Sequence, residues 1–112
     1  MNSQGAKYRH IDITRVDYLA PALRYVVSGD LRQSGGFEED NHDYDSEVQR
    51  RAGAQGIPIA RWAILNGKSG PNGPGVLFDS EMPMFCAYTQ TEDQANAIAE
   101  IAEKVAESWH NR

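Results

Sequence analysis

Residues 91–109, TEDQANAIAEIAEKVAESW, carry the clearest periodic pattern of the 112-residue chain. Thr91 and Gln94 have the spacing of a capping box, in which a hydroxyl and a side-chain amide satisfy the first backbone N–H groups of a helix. The apolar residues that follow recur at helical spacing, at Ile98, Ile101, Ala102, Val105 and Trp109. This pattern predicts a long amphipathic C-terminal helix, whose apolar stripe needs a sheet to pack against.

Three extended segments that can form this sheet precede the helix. They are residues 57–65 (IPIARWAIL), 76–79 (VLFD) and 84–89 (MFCAYT). Residues 66–75 (NGKSGPNGPG) are rich in turn formers and predict a long hairpin loop, and residues 80–83 predict a shorter turn. Three strands with short connections are typical of an antiparallel meander.

The N-terminal half predicts shorter elements. A brief alternation over residues 8–13 indicates an edge strand or an ordered arm. Apolar residues at helical spacing between Val16 and Val27 predict a helix that begins near residues 18–21, because Pro21 interrupts the pattern, and that ends at Gly29. A second short helix is predicted over residues 47–52, capped by Asp45 or Ser46.

These elements together predict a single α+β domain over residues 1–112. We expect a three- or four-stranded antiparallel sheet, with the C-terminal amphipathic helix packed on one face and the short N-terminal helices at its edge. The segment from residue 30 to residue 45 has little to bury and predicts an exposed acidic loop.

Composition excludes several classes of function. The 11 Lys and Arg residues against 16 Asp and Glu residues give a formal net charge of −5, which argues against direct nucleic-acid binding. The single cysteine cannot form an intrachain disulfide, and no apolar run reaches the roughly 20 residues that span a bilayer. We therefore expect a cytoplasmic protein without a membrane segment.

No motif of the sequence requires a catalytic mechanism, a metal or another cofactor. The acidic run has calcium-loop spacing at Asn41, Asp43 and Asp45, but Ser46 stands where that loop needs glycine and Ala52 where it needs glutamate. A Gly-Lys-Ser triplet at residues 67–69 lacks both the earlier glycine and the following helix of a phosphate-binding loop. We therefore expect no metal and no enzyme. An enzyme is a fourth hypothesis, which a pocket that contains a histidine or Cys86 with a perturbed pKa would support.

Two surface segments are candidates for binding. The acidic loop can dock on a basic protein partner, with Tyr44 as its exposed aromatic anchor. The residues predicted to contact this partner are Glu38, Glu39, Asp40, Asp43, Tyr44 and Asp45. The Gly/Pro-rich loop is a candidate ligand loop through Lys68, Ser69 and Asn72. The sequence leaves open whether the chain forms a homo-oligomer.

Two stretches resemble phage proteins. Residues 62–111, with a Trp-bearing strand, a Gly-rich turn, two strands and an Ala-rich helix that opens with Thr-Glu-Asp, resemble compact proteins encoded by short phage reading frames. Residues 22–30 (ALRYVVSGD), 36–38 (GFE), 47–53 (EVQRRAG) and 56–58 (GIP) are similar to the N-terminal arm of some tailed-phage major capsid proteins. The large capsid domains of that family do not follow in this chain.

The first resemblance implies a phage accessory or counter-defence protein, located in the cytoplasm of a bacterial host. Our leading hypothesis is therefore a non-enzymatic module that binds a protein partner through an acidic surface and inhibits a host defence component. The second resemblance implies a capsid-associated component of the virion. A third hypothesis is a small-molecule-binding protein that binds a nucleotide through the Gly/Pro-rich loop.

Overall fold

The computed structural model describes residues 8–16, 23–30, 42–65, 68–72, 75–81 and 84–110, and for residues 42–43, 62–65, 68–72 and 109–110 it describes the backbone alone. The elements in chain order are β1 (Asp12–Arg15), β2 (Tyr25–Asp30), α1 (His42–Ala54), β3 (Arg61–Leu65), β4 (Lys68–Asn72), β5 (Leu77–Phe78), β6 (Met84–Thr89) and α2 (Glu92–His110). The predicted α+β class is confirmed.

A four-stranded antiparallel sheet forms the centre of the fold, in the order β1-β2-β6-β5. Val27 of β2 pairs with Ile13 of β1 on one side and with Ala87 of β6 on the other. A separate hairpin consists of β3 and β4, and a parallel bridge between Ile59 and Val76 connects the segment before β3 to the edge of the sheet beside β5. The edge strand expected near residues 8–13 is therefore β1.

Helix α2 begins as the capping pattern predicts. The Gln94 backbone N–H donates to Thr91 Oγ1 at 3.1 Å, and the Gln94 side chain accepts from the Gln90 backbone N–H at 3.1 Å. Its apolar stripe is buried against Val27, Phe85 and other residues on one face of the sheet. The fully buried positions of this helix include Ala95, Ile98, Ala99, Ala102, Val105 and Ala106. The C-terminal helix is thus part of the core, as predicted.

Helix α1 packs beside α2 on the same face of the sheet. Tyr44, Val48 and Ala52 recur every four residues and are fully buried in the same cluster as the α2 residues. On its exposed side, Glu47 accepts hydrogen bonds from Arg50 at 2.6 Å and from Arg51 at 2.7 Å. The predicted helix over residues 47–52 is confirmed, but it begins earlier, at His42. Neither α1 nor α2 combines the length and the apolar run that crossing a bilayer requires.

The helix predicted to run through Val27 is wrong where the structure describes it. Tyr25–Asp30 form β2, the strand between β1 and β6. Val27 faces the helices and is fully buried while Val26 is half-buried, which is the alternation of a strand. Adjacent β-branched valines suit a strand with partners on both edges, and this pairing outweighs a helical spacing that Pro21 already weakened. Residues 17–22, where that helix was to begin, lie outside the described residues.

The long loop predicted over residues 66–75 is also wrong in part. Lys68–Asn72 form β4, which pairs with β3 in a register that places Leu65 opposite Lys68. Only the two residues Asn66 and Gly67 separate these strands, and Asn-Gly is the dipeptide that two-residue hairpins favour. The predicted meander of residues 57–65, 76–79 and 84–89 is also wrong. Strand β3 pairs with β4 in a separate hairpin, and β6 lies between β5 and β2.

Candidate functional site

The structure places the sequence-predicted site residues in three different settings. Glu38, Glu39 and Asp40 lie outside the described residues. Asp43 and Asp45 belong to the first turn of α1, not to a loop. The candidate ligand loop, Lys68, Ser69 and Asn72, belongs to strand β4, whose backbone pairs with β3. The prediction that these three residues occupy a loop is therefore wrong.

The prediction that Tyr44 is an exposed aromatic anchor is wrong. Its side chain is fully buried, its ring lies edge-on to Phe85 at a centroid distance of 5.5 Å, and its hydroxyl donates to the Ala102 carbonyl oxygen at 2.6 Å. Burial, followed by the charge of Glu103, raises the pKa of the Tyr44 hydroxyl. The cause is that α1 begins before Tyr44, so this residue lies on the face that packs against α2. Its spacing to Val48 and Ala52 is the signal that the sequence offered.

The face of the four-stranded sheet opposite the helices, which we call the open sheet surface, carries Asp12, Asp30, Asp79 and Glu81, while other exposed acidic side chains lie on α2. It consists of the outward residues of β1, β2 and β6 together with the β5–β6 turn: Asp12, Thr14, Val26, Ser28, Asp30, Asp79, Glu81, Met84, Cys86 and Tyr88. The inward residues of the same strands are buried against α1 and α2. Within the described ranges the helices cover the other face of this sheet, and at the β5 end of the open sheet surface Leu77 and Tyr88 pack against Leu23 and Ala60.

Strand register arranges the open sheet surface in two rows. The first row runs from Asp12 through Ser28 and Cys86 to Asp79. Three strand spacings of roughly 4.8 Å each separate its ends, so the two aspartates lie about 14 Å apart.

The second row runs from Asp30 through Met84 to Glu81. Met84 is 43% exposed and is the large apolar side chain that the described part of the chain leaves exposed. Met84 therefore lies between two carboxylates in this row, at the end of the sheet where β6 begins.

Asp45 links the predicted acidic segment to the open sheet surface. One of its oxygens accepts from Ser80 Oγ at 2.8 Å, and the other accepts from Gln49 Nε2 at 3.0 Å. Ser80 Oγ in turn accepts from the backbone N–H of Cys86 at 3.0 Å. These bonds hold Asp45 beside the β5–β6 turn, so it extends the negative charge of Asp79 and Glu81.

Cys86 is half-buried in the middle of the open sheet surface. Burial raises the pKa of its thiol, a hydrogen bond with Tyr88 lowers it, and the nearby charges of Asp79, Asp45 and Glu81 raise it further. A protonated thiol is a poor nucleophile. The environment of Cys86 therefore does not favour nucleophilic chemistry.

A cleft of about 260 Å³ opens at the corner where β1 begins and β2 ends. Its walls include Arg9, His10, Asp12, Ser28, Asp30 and Met84. Gly29 also lines it, and a Cβ atom at this position would overlap the backbone carbonyl oxygen of His10. Glycine is thus required for the close approach of β2 to the segment before β1.

A buried carboxylate lies behind this cleft. Glu103 Oε1 accepts from the His10 backbone N–H at 2.8 Å, and Glu103 Oε2 lies 3.9 Å from His10 Nε2. The side chains of His10 and Glu103 are only 7% and 10% exposed. Within the described part of the chain, Oε2 has no hydrogen-bond partner. Sequence reasoning missed this pair, although Glu103 stands four residues after Ala99 and three before Ala106, both on the buried side of α2.

The arrangement can attract and hold a positively charged surface. No group of three or more His, Cys, Asp and Glu side chains in the described ranges is placed to hold a metal ion.

Comparisons of the chain with protein-family models, with curated proteins and with solved structures found no match.

Proposed function

We propose that the protein is a non-enzymatic module that binds a protein partner through its open sheet surface. The observation that carries this proposal is the exposed Met84 between carboxylates on a sheet face that the described helices leave uncovered. An apolar centre with a charged rim is the anatomy of protein interfaces, and methionine adapts to irregular partner surfaces.

The charge of the open sheet surface selects the kind of partner. Asp12, Asp79 and Glu81 are exposed there, and Asp30 is half-buried. A basic protein surface complements these charges, which speeds the encounter and disfavours acidic partners. Glu38, Glu39, Asp40 and Asp43 precede Asp45 in the chain, and we propose that they also contact the basic partner.

The finer form of the proposal is inhibition of a host defence component in the cytoplasm of a bacterium. It rests on the resemblance of residues 62–111 to compact phage-encoded proteins and on the acidic surface. An inhibitor of this kind acts by occupying the surface of its target, so it needs complementarity and no catalytic residues.

The experiment compares two variants that lose the same formal charge from different surfaces. The open-surface variant replaces three exposed acids of the sheet: Asp12→Asn, Asp79→Asn and Glu81→Gln. The matched control replaces three exposed acids of α2: Asp93→Asn, Glu100→Gln and Glu107→Gln. Each protein is used as bait in a bacterial lysate, and captured proteins are quantified by mass spectrometry.

We expect the wild type and the control to capture the same basic protein, and the open-surface variant to capture at least tenfold less of it. The association rate with this protein should fall as salt rises, since exposed charges are screened beyond about 8 Å at physiological ionic strength. Equal capture by all three baits would refute the proposal. A further variant, Glu38→Gln, Glu39→Gln and Asp40→Asn, tests the contribution of the acidic segment.

A further inference from the structure

Residues 8–11, which we call the N-terminal strap, precede β1 and lie against α2. The Tyr8 hydroxyl donates to the Asn96 backbone carbonyl oxygen at 3.4 Å. Further along, the His10 backbone N–H donates to Glu103 Oε1 at 2.8 Å. A side chain that can change its charge therefore holds the middle of the strap.

The Glu103 carboxylate is buried without a full set of hydrogen-bond donors. Its side chain is only 10% exposed, and Oε2 has no hydrogen-bond partner within the described part of the chain. The His10 side chain is 7% exposed and brings Nε2 to 3.9 Å from this oxygen. A buried carboxylate destabilises the fold when neither a donor nor a positive charge replaces its hydration. Contact between the strap and α2 is therefore weakest when Glu103 is negative and His10 is neutral.

One proton on this pair removes the net buried charge. A protonated His10 places a positive charge at ion-pair distance from Glu103 Oε2, so the closed pair is neutral overall. When the strap is open, both side chains are in water and interact little. The closed strap therefore binds a proton more tightly than the open strap does, and the proton in turn favours closure.

The other charged groups around His10 act in both directions. Asp12 and Asp30 line the corner cleft, the opening of about 260 Å³ where β1 begins and β2 ends, and their negative charges favour a positive His10. Arg9 lines the same cleft and opposes it. On the α1 side, the Tyr44 hydroxyl is uncharged at neutral pH because burial raises its pKa. The balance of these surrounding charges is negative, so it adds to the effect of the buried carboxylate.

We propose that His10 and Glu103 form a proton-operated latch, which closes the N-terminal strap on α2 as the pH falls from about 8 to about 6. An ordinary histidine is half protonated at about pH 6.5, so the open strap loses its proton as the pH rises through this value. The stabilisation is fully present below that pH and declines above it, because closure then has to take up a proton from solution.

The latch also affects one end of the open sheet surface. Arg9 and His10 line the corner cleft beside Asp12 and Asp30, so opening of the strap changes the walls of this cleft. The latch itself needs no binding partner, and it therefore stands or falls independently of the proposed function.

The test measures hydrogen exchange at single backbone amides of the full chain by NMR, at pH 6 and at pH 8. Protection factors, corrected for the intrinsic effect of pH on exchange, report how often each amide opens. We take the closed strap to bind the proton about tenfold more tightly than the open strap, which corresponds to one pH unit. Protection at His10 and Ile11 should then be at least about fivefold higher at pH 6 than at pH 8.

Three variants separate the latch from the other titrating groups. Glu103→Gln removes the negative charge and keeps an oxygen that accepts from the His10 backbone N–H, so it should abolish the pH dependence of protection. His10→Gln should do the same, because its side chain does not titrate. The matched control, Glu107→Gln, removes an exposed acid one turn further along α2 and should retain the fivefold ratio. His42 and His110 are present in all of these proteins.

A second measurement follows the His10 ring by NMR between pH 5 and pH 9. The pH at which this ring is half protonated should be about one unit lower in Glu103→Gln than in the wild type, and unchanged in Glu107→Gln. Equal values in Glu103→Gln and the wild type would overturn the inference, as would equal protection of the wild-type strap at the two pH values. If Glu103→Gln does not fold, the comparison of the wild type with His10→Gln decides, and the same pH dependence in both would overturn the latch.

Discussion

Replacing Tyr44 by phenylalanine removes one buried oxygen and tests where α1 packs. The hydroxyl donates to the Ala102 carbonyl at 2.6 Å, and its side chain is fully buried. Ala102 lies inside α2, so its carbonyl keeps a helical partner when the hydroxyl is gone. The ring contact with Phe85 also remains. We expect a loss of about 1 kcal/mol in the free energy of unfolding, the usual net value of one hydrogen bond.

Replacing Tyr44 by alanine removes the ring as well. The cavity left between α1, α2 and β6 should cost about 3–5 kcal/mol, as for other large aromatic residues in cores. This is a large share of the roughly 5–15 kcal/mol that stabilises a typical domain. The assay is urea denaturation followed by circular dichroism, with thermal melts as a check. At this chain length, 1 kcal/mol corresponds to a melting-point shift of about 4 °C.

The raised pKa of Tyr44 adds a pH dependence with a defined sign. The unfolded chain ionises this hydroxyl near its ordinary pKa of 10.0, whereas burial keeps it protonated in the folded protein. Stability is therefore fully present below about pH 10 and falls as pH rises above it, because only the unfolded state then releases the proton. Tyr44→Phe should remove this part of the alkaline loss, measured as the difference in unfolding free energy between pH 8 and pH 10.5.

The result that would refute this reasoning is a small effect of both substitutions. If Tyr44→Phe and Tyr44→Ala each change the free energy of unfolding by less than about 0.5 kcal/mol, Tyr44 behaves as a surface residue. The packing of α1 against α2 would then be wrong, and the acidic segment would be the exposed loop that composition predicts.

Three further outcomes follow from local geometry. Gly29→Ala should lower the free energy of unfolding by about 1–3 kcal/mol, measured in thermal or urea unfolding, because the new methyl group overlaps the His10 carbonyl. Gly53→Ala, which has open space around it in α1, should raise the free energy of unfolding by about 0.5–1 kcal/mol. Similar values for both substitutions would contradict the close approach at Gly29. Thr91→Ala should lose about 1 kcal/mol and Thr91→Ser should retain most of it, since the hydroxyl caps α2. Cys86 should react with iodoacetamide more slowly at pH 8 in the folded protein than in urea, because the pKa of its thiol is raised when folded, and equal rates would contradict this.

Local patterns predicted the elements whose own residues settle their structure. Helix α2 begins at a capping box and has a continuous apolar stripe, and β6 occupies the residues 84–89 expected from its composition. Both elements have one apolar face, and an apolar face of this kind implies a packing partner whatever that partner is. The class of the fold follows from them.

Strand β2 depended on partners that are distant in the chain. Val26 and Val27 fit a helical stripe when read with Val16 and Leu23, and only pairing with β6, about 60 residues later, makes the segment a strand. The corner cleft depended on the same contacts, since His10 meets Glu103 across 93 positions. No local sequence pattern predicts a contact between residues so far apart in the chain. The acidic character of the candidate site was therefore predictable, but its location on the sheet was not.

The central position of β2 constrains the order of assembly during synthesis. Its first edge pairs with β1 within a hairpin-like segment, but its second edge waits for residues 84–89 to leave the ribosome. Contacts this distant in sequence slow folding, because the intervening chain loses conformational entropy before the contacts contribute any stabilisation. A nascent chain stalled before residue 84 should therefore remain sensitive to protease throughout β1 and β2, and gain protection only once α2 has been completed.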